Sequence, residues 1–402
     1  MPYYIGDVIK DEKRLVARTP EKFRETGIDV KLKTVATDVD PEERVVRLSD
    51  GSILTYEILV MATGTTPFLP PMPGVDLEGV FTLKRLTDAI RIKTYIRERQ
   101  CRKALIVGAG FIGMEMCEAL RSLGIETEVV HRGTMPVNRW DPEFLKVIME
   151  ELKRNEVSFL TRVEMQSIEK GKDFRLRLNT NKGPLEADLI LMALGVKPNV
   201  RLAAGMGLQI GKTGAIQVNF AQRTSLEGVY AVGDCCEVYH RISRQWVHIP
   251  LGDIANKQGR VAGANIGGSS LIFPGVVGAQ SFRIFKLEVA ATGLGEREAA
   301  ANGFDPVSTI VWGNALAGPM PGNTQVGIKL LADRSTGKLL GAQAVGEAGA
   351  VSRINTLSCA LWNEMVLDEI GYLDLAYSPP FSSAWDPIHM AAQGLLRQIR
   401  GQ

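Results

Sequence analysis

The stretch between residues 104 and 130 limits what this chain can fold into more than any other. An all-apolar run at 104–107 leads into Gly108-Ala109-Gly110-Phe111-Ile112-Gly113. A helical pattern through Met116, Leu120 and Leu123 follows and closes at Gly124, and a second strand occupies 128–130. Strand, G-x-G-x-x-G, helix and strand in this order predict a dinucleotide-binding βαβ unit. Gly108 permits the tight turn, Gly110 lets a pyrophosphate reach the backbone, and Gly113 lets helix pack on strand. The amides opening the helix, from Phe111 and Ile112 onward, would then bind phosphate. A glycine-rich turn without a ligand is the bland alternative, and the flanking strands and helix favour the nucleotide.

The end of the second strand selects among nucleotides. An NAD site normally places Asp or Glu there for the ribose 2′-hydroxyl, whereas NADP needs cations for the 2′-phosphate. Here His131-Arg132 follow the strand and Arg139 stands further along the loop. With no carboxylate and a permanent guanidinium charge, NADPH is favoured. The alternative is NADH, bound without the acidic contact beside solvated loop charges. Glu115 falls in the first turn of the helix, where a carboxylate suits the dipole. It could equally line a nicotinamide pocket.

Elsewhere the chain is that of an ordinary globular protein. Its 402 residues suffice for two or three domains. Lys and Arg number 47 against 45 Asp and Glu, leaving no basic excess to replace counterions on a nucleic acid. No apolar run approaches the roughly 20 residues of a bilayer helix, and no secretory signal pattern is visible at the start. A cytoplasmic protein with neither nucleic-acid nor membrane partners is expected. The five cysteines contain no C-x-x-C and the four histidines are scattered, so neither a metal site nor a disulfide framework can be read. Cys235-Cys236 are expected to be buried thiols.

Short β elements are predicted at 30–35, 44–48 and 58–61, with a hairpin turn at Asp50-Gly51. The third ends in Ala62-Thr63-Gly64, before a proline-rich boundary at 67–74. A helix is predicted over 84–97 and apolar strands at 189–194, ending in Gly195, and 228–232, ending in Gly233-Asp234. Alternating, antiparallel-like strands are predicted at 282–285 and 326–331, and a helix near 352–365.

Together these residues resemble the pyridine nucleotide-disulfide oxidoreductase family, in its single-cysteine branch of coenzyme A-disulfide reductases, NADH oxidases and peroxidases, and polysulfide reductases. The likeness runs the length of the chain. It rests on Thr55-Tyr56-Glu57 before the strand ending in Ala62-Thr63-Gly64, on the Gly108, Gly110, Gly113 fingerprint, and on Ala193-Leu194-Gly195-Val196-Lys197-Pro198-Asn199. Gly228-Val229-Tyr230-Ala231-Val232-Gly233-Asp234, Ala255-Asn256-Lys257-Gln258-Gly259-Arg260 and Tyr377-Ser378-Pro379-Pro380-Phe381-Ser382-Ser383-Ala384 complete the set. The resemblance implies an α/β fold in which a remnant of an FAD-binding domain is interrupted by a Rossmann-like NAD(P)-binding domain and followed by an α+β dimerisation domain. The corresponding boundaries are 1–82 and 216–268 for the flavin parts, 83–215 for NAD(P) and 269–402 for dimerisation. It further implies that Ala62, Thr63, Gly64, Gly233 and Asp234 bind FAD, Asp234 accepting from a ribityl hydroxyl. The alternative reading is that Asp234 caps the next helix. Tyr377 would lie on a tail reaching the active site of a second copy in a homodimer, its phenol donating to a thiolate or substrate oxygen.

Two departures accompany the likeness. Family members carry a first G-x-G-x-x-G unit for the ADP half of FAD, ending in a redox cysteine shortly before Pro-Tyr-Tyr-Ile-Gly. Here that stretch is Pro2-Tyr3-Tyr4-Ile5-Gly6, so roughly forty residues, the length of such a βαβ unit, are expected to be missing. Weak or absent flavin is therefore expected in the chain as written, whether Met1 is an internal methionine or the product is truncated. Also, coenzyme A-disulfide reductases of this type carry paired tyrosines before a Pro-Gly where this chain has Pro319-Met320-Pro321-Gly322. None of the five cysteines replaces the lost one by position. For an intact form carrying the first unit, the implied mechanism is a hydride relay from NADPH (or NADH) through FAD to that cysteine, then to a coenzyme A-disulfide, polysulfide, peroxide or dioxygen acceptor. A redox-inactive NAD(P)-binding protein and a flavin-dependent reductase of a partner electron carrier are the alternatives. The Tyr377 tail argues against the second. His389 matches no catalytic pattern and is expected to serve packing or a surface contact.

Overall fold

The computed structural model describes residues 1–137 and 140–401. It separates into two compact units, one made of Met1–Lys10, Leu69–Gly195 and Val277–Gln402, the other of Asp11–Phe68 and Val196–Val276.

The first unit is built on two five-stranded sheets. One is wholly parallel, in the order Val80–Phe81, Leu189–Met192, Lys103–Val107, Glu126–Val130, Val157–Leu160. Parallel sheets are covered on both faces, so their strands read as continuous apolar runs rather than alternating ones. Residues 104–107 and 189–192 do this: Ala104, Leu105, Ile106, Leu189, Ile190 and Leu191 are wholly buried. Each large apolar side chain so buried contributes about 1.5–3 kcal/mol. The fingerprint helix Phe111–Ser122 follows the central strand and buries Met114, Met116, Cys117, Ala119 and Leu120. The predicted helix over 84–97 is present as Leu86–Arg99.

The other sheet is antiparallel, in the order Gln280–Ile284, Leu287–Gly293, Leu339–Gly346, Gln325–Asp333, Pro306–Asn314. Helix Ala350–Trp362 packs on it, as does the terminal helix Pro387–Arg400. The Arg353 guanidinium links the two helices through a bidentate pair with Asp386, with contacts of 2.8–3.1 Å. Asp386 also caps the terminal helix by accepting from the Ile388 amide.

In the second unit a three-stranded antiparallel meander, Ala36–Asp40, Val45–Leu48 and Ile53–Thr55, precedes a short parallel pair, Leu59–Met61 with Val229–Ala231. Antiparallel pairs join Thr65–Pro67 to Val196–Pro198 and Val238–His240 to Gln245–Val247. Helix Gly252–Ile266 follows. The turn at Asp50-Gly51 is where it was predicted, with Gly51 at φ +83°. The strand expected at 30–35 is not formed. Lys33 takes φ +55°, which breaks an extended run, and the strand begins at Ala36 instead.

Candidate functional site

The fingerprint turn sits at the C-terminal end of the central parallel strand, the place where open α/β sheets bind ligands. Its three glycines meet three different constraints. Gly108 has φ +104°, and a Cβ there would lie 2.3 Å from the Ala193 carbonyl oxygen. A Cβ on Gly113 would lie 2.3 Å from the Gly108 carbonyl oxygen. Those two therefore serve close packing. Around Gly110 nothing comes within 4 Å of the same position, so its face is open. Gly110 is also the N-cap of the twelve-residue fingerprint helix, whose first amides lack intrahelical acceptors and point at that opening. Gly195, φ +93°, is open in the same way at the end of the neighbouring strand segment.

The loop after Glu126–Val130 carries the expected selectors. Arg132 is exposed, and His131 is half-buried with its Nε2 free of any hydrogen-bond partner. Burial holds the His131 imidazole below its ordinary 6.5, opposed by a main-chain hydrogen bond at Met135 and reinforced by the Arg132 charge. The loop is tied to the fingerprint: the Val137 amide donates to the Ala109 carbonyl at 2.8 Å. The Trp140 ring stands edge-on to Phe111 at 5.6 Å and to Phe282 at 5.5 Å. Arg139, the third expected selector, lies outside the described residues.

Glu115, half-buried on the fingerprint helix, lines a small pocket with Tyr3, Glu118, Ser122 and Arg283. Burial raises the Glu115 carboxyl above the usual carboxylate range. Burial, then the Glu115 and Glu118 charges, likewise raises the Tyr3 phenol. Glu118 is engaged by the Phe285 amide at 2.9 Å, so Glu115 is the more adaptable carboxyl. Tyr3 was not singled out from sequence, because its approach to Glu115 is tertiary.

In the second unit Gly233, at φ +78°, turns the chain after Val229–Ala231 and places Asp234 at the strand's C-terminal end. A Cβ on Gly233 would meet that of Ala255 at 3.3 Å, so the helix packs close to the turn. The Gly233 amide donates to Gln258 Oε1 at 2.9 Å, and His248 Nε2 donates to the Asp234 carbonyl at 2.8 Å. The Thr65 hydroxyl reaches Asp234 Oδ2 at 3.4 Å. The N-cap position of helix Gly252–Ile266 is held by Leu251. Thr63 and Asn199 brace the preceding turn: the Thr63 hydroxyl donates to the Asn199 carbonyl at 2.6 Å and Asn199 Nδ2 donates back to the Thr63 carbonyl at 2.8 Å. Ala62 is exposed, and Gly64, at φ +65°, is open. Thr65 and His248 carry no local signal; Asn199 and Gln258 lie in motifs of the family resemblance, without an assigned role there.

Tyr377 is 53% exposed on the segment before the terminal helix. That segment is anchored at both ends: His389 Nε2 bonds the Leu373 carbonyl at 2.9 Å, and the Ala317 amide donates to the Pro379 carbonyl at 3.0 Å. His389 is buried and packs against Trp385, the packing alternative rather than a surface contact. All five cysteines are free; Cys235 and Cys236 are buried, as are Cys101 and Cys117, while Cys359 is exposed. Burial pushes the Cys101 thiol up to about 11 and those of Cys117 and Cys236 higher, so these three are held as thiols rather than reactive thiolates. Among the described residues no cluster of three or more candidate metal ligands is found and no helix is long and apolar enough to cross a membrane.

The structure thus combines an open glycine turn at a parallel strand end, a carboxylate after a second parallel strand, and an antiparallel sheet with helices against it. Residues 4–259 match the family of pyridine nucleotide-disulphide oxidoreductases and residues 279–388 match its dimerisation domain; the chain belongs to this family and is an oxidoreductase using FAD and a nicotinamide nucleotide. It is 36% identical over 398 residues to the NAD(P)H sulfur oxidoreductase (CoA-dependent) of Pyrococcus abyssi, covering 98% of this chain and 88% of the relative. It is 33% identical over 405 residues to an NADH oxidase of Methanocaldococcus jannaschii, covering 99% and 90%. Its fold matches that of an NAD-dependent persulfide reductase from A. fulgidus with a TM-score of 0.95 at 35% identity, over 100% of this chain and 76% of the other.

Proposed function

We propose that this oxidoreductase takes hydride from NADPH in preference to NADH and delivers the electrons to a sulfur–sulfur acceptor, a polysulfide or a persulfide or disulfide of coenzyme A. The observation that carries the nucleotide reading is the open cradle at Gly110 beside a strand end bearing His131 and Arg132 without a carboxylate. The backbone amides from Phe111, Ile112 and Gly113 would bind the pyrophosphate and Arg132 the 2′-phosphate, with Arg139 as a further cation. Glu115, its carboxyl raised by burial, would receive a hydrogen bond from, or donate one to, the carboxamide end of the nucleotide.

The residues of the second unit fit a flavin. Asp234 presents a carboxylate at a strand end, Gly233 brings helix and turn together, and the open Gly64 with Ala62 and Thr63 leaves space beside it. FAD, when bound, supplies the chemistry that turns a two-electron hydride donor into a reductant for sulfur or oxygen. Asp234 would hold a ribityl hydroxyl, oriented through Thr65, His248 and the Gln258 contact to Gly233. Tyr377, exposed on an anchored tail, would donate to the sulfur or oxygen of the acceptor in a second copy of the chain. The exposed Tyr372, Phe381 and Trp385 around it support a homodimer. The partition into flavin parts 1–82 and 216–268, an NAD(P) domain 83–215 and a dimerisation domain 269–402 suits these roles, as does a cytoplasmic location.

The sulfur acceptor is supported by the likeness to the Pyrococcus and A. fulgidus proteins, and dioxygen by the likeness to the NADH oxidase. Steady-state oxidation of NADPH and NADH by the protein supplied with FAD tests the reading. Expected is turnover that requires polysulfide together with coenzyme A and is faster with NADPH. Turnover with dioxygen alone would make the protein an oxidase. Nucleotide binding without turnover on any acceptor would make it a redox-inactive NAD(P)-binding protein.

A further inference from the structure

The loop that would choose between nucleotides is held from behind by the antiparallel sheet. Asp141 ends that loop and begins helix Pro142–Arg154 as its N-cap. It is gripped from two strands of the C-terminal sheet. Gln343, on Leu339–Gly346, accepts from the Asp141 amide through Oε1 at 2.9 Å and donates through Nε2 to Asp141 Oδ2 at 2.9 Å. Lys329, on the adjacent Gln325–Asp333, meets the same Oδ2 at 2.8 Å. Both side chains come from interior strands and are about 5% exposed. A second carboxylate, Glu296 Oε1, meets Lys329 at 2.8 Å and is itself engaged by the Ser308 hydroxyl.

Burial alone would lower the Lys329 ammonium, and the Asp141 and Glu296 carboxylates reverse that. Such a paired, buried charge fixes its partner in one place, because removing either member strands the other without water. From Asp141 the restraint passes one residue back to Trp140, whose ring contacts Phe111 of the fingerprint and whose Nε1 reaches the Ala290 carbonyl at 3.4 Å. It then passes to Val137, whose amide bonds Ala109 inside the glycine turn.

We propose that Lys329 and Gln343 are positioning residues for the nucleotide: through Asp141 they hold the 131–137 loop against the glycine turn, so that affinity for NADPH and its preference over NADH depend on the C-terminal sheet. The proposal rests on the reading of residues 108–113 as the nucleotide cradle. It gives that sheet a part in nucleotide recognition in addition to assembly.

The test is a fluorescence titration of the full chain with NADPH and with NADH, alongside thermal melts and amide hydrogen exchange of residues 131–137. Gln343→Met, which keeps volume and removes both hydrogen bonds, should weaken NADPH about tenfold and NADH less. Exchange at 131–137 should quicken while the melt stays cooperative. Lys329→Arg, which can still pair with Asp141, should stay close to wild type, and Lys329→Met should show the larger loss. Gly110→Val is the control for the cradle. If Gly110→Val abolishes binding while Gln343→Met folds, binds both nucleotides as the wild type does and keeps its exchange at 131–137, the positioning role is wrong. If Gly110→Val binds normally, the cradle reading itself has failed. If Lys329→Met does not fold, Gln343→Met still decides the matter.

Discussion

Two turns in this molecule look alike and do different work. Gly108 and Gly233 each follow a parallel strand and each has a positive φ, +104° and +78°. The first lies in the middle of a five-stranded sheet, with neighbours hydrogen-bonded on both sides. What it offers a ligand is backbone: helix amides and the open face of Gly110. The second follows a strand of a two-stranded parallel sheet whose partner, Leu59–Met61, leaves Val60 40% exposed. What it offers is a side chain, Asp234, whose carboxylate the Thr65 hydroxyl reaches and whose main-chain carbonyl His248 holds. Backbone recognition needs only the right glycine spacing, whereas side-chain recognition needs a surrounding set of braces. The first turn should therefore be the more self-sufficient of the two, and its failures should be sharper.

The comparison breaks first if the two turning glycines respond alike. Gly108→Ala places a Cβ 2.3 Å from a carbonyl oxygen and should cost about 3 kcal/mol, while Gly233→Ala, with only a 3.3 Å contact to Ala255, should cost about 1–2 kcal/mol. Equal shifts in chemical-denaturation midpoints would remove the distinction. Next is Gly110→Val. The structure has room for the side chain, so the fold should hold while NADPH affinity drops on the order of 100-fold, or about 2.7 kcal/mol. A nucleotide titration with a melting curve separates this from misfolding. A smaller effect belongs to Arg132→Ala, which should weaken NADPH about tenfold and leave NADH within about twofold, since the guanidinium would meet only the 2′-phosphate.

The smallest effect is the pH dependence of His131. Its folded-state pKa lies below the ordinary 6.5 because burial favours the neutral ring. The unfolded chain then binds the proton more readily, so the contribution to stability is present above 6.5 and is lost as pH falls through the lower folded value. Melting curves of wild type and His131→Asn across about pH 7 to 5 should converge as the pH falls. Parallel curves would mean that His131 is solvated.

The contrast between the turns also explains what could be read from the residues alone. The fingerprint, the strands around it and the helix Leu86–Arg99 were legible because apolar runs and glycine spacing are local signals. Trp140 and Asp141 were not, since what holds them is Phe282, Lys329 and Gln343, more than 140 positions away in the chain. The bracing of Asp234 by Thr65 and His248 was hidden for the same reason. The failed strand at 30–35 shows the opposite limit: its alternation was real, but one left-handed residue, Lys33, outweighed it. Burial of Cys235 and Cys236 followed from the residue type alone.

The measurement closest to the central claim is an anaerobic spectral titration of the FAD-supplemented protein. NADPH should bleach the flavin band faster than NADH does, and addition of polysulfide with coenzyme A should restore it. A flavin band that neither nucleotide bleaches, in protein shown to bind NADPH, would contradict the hydride relay.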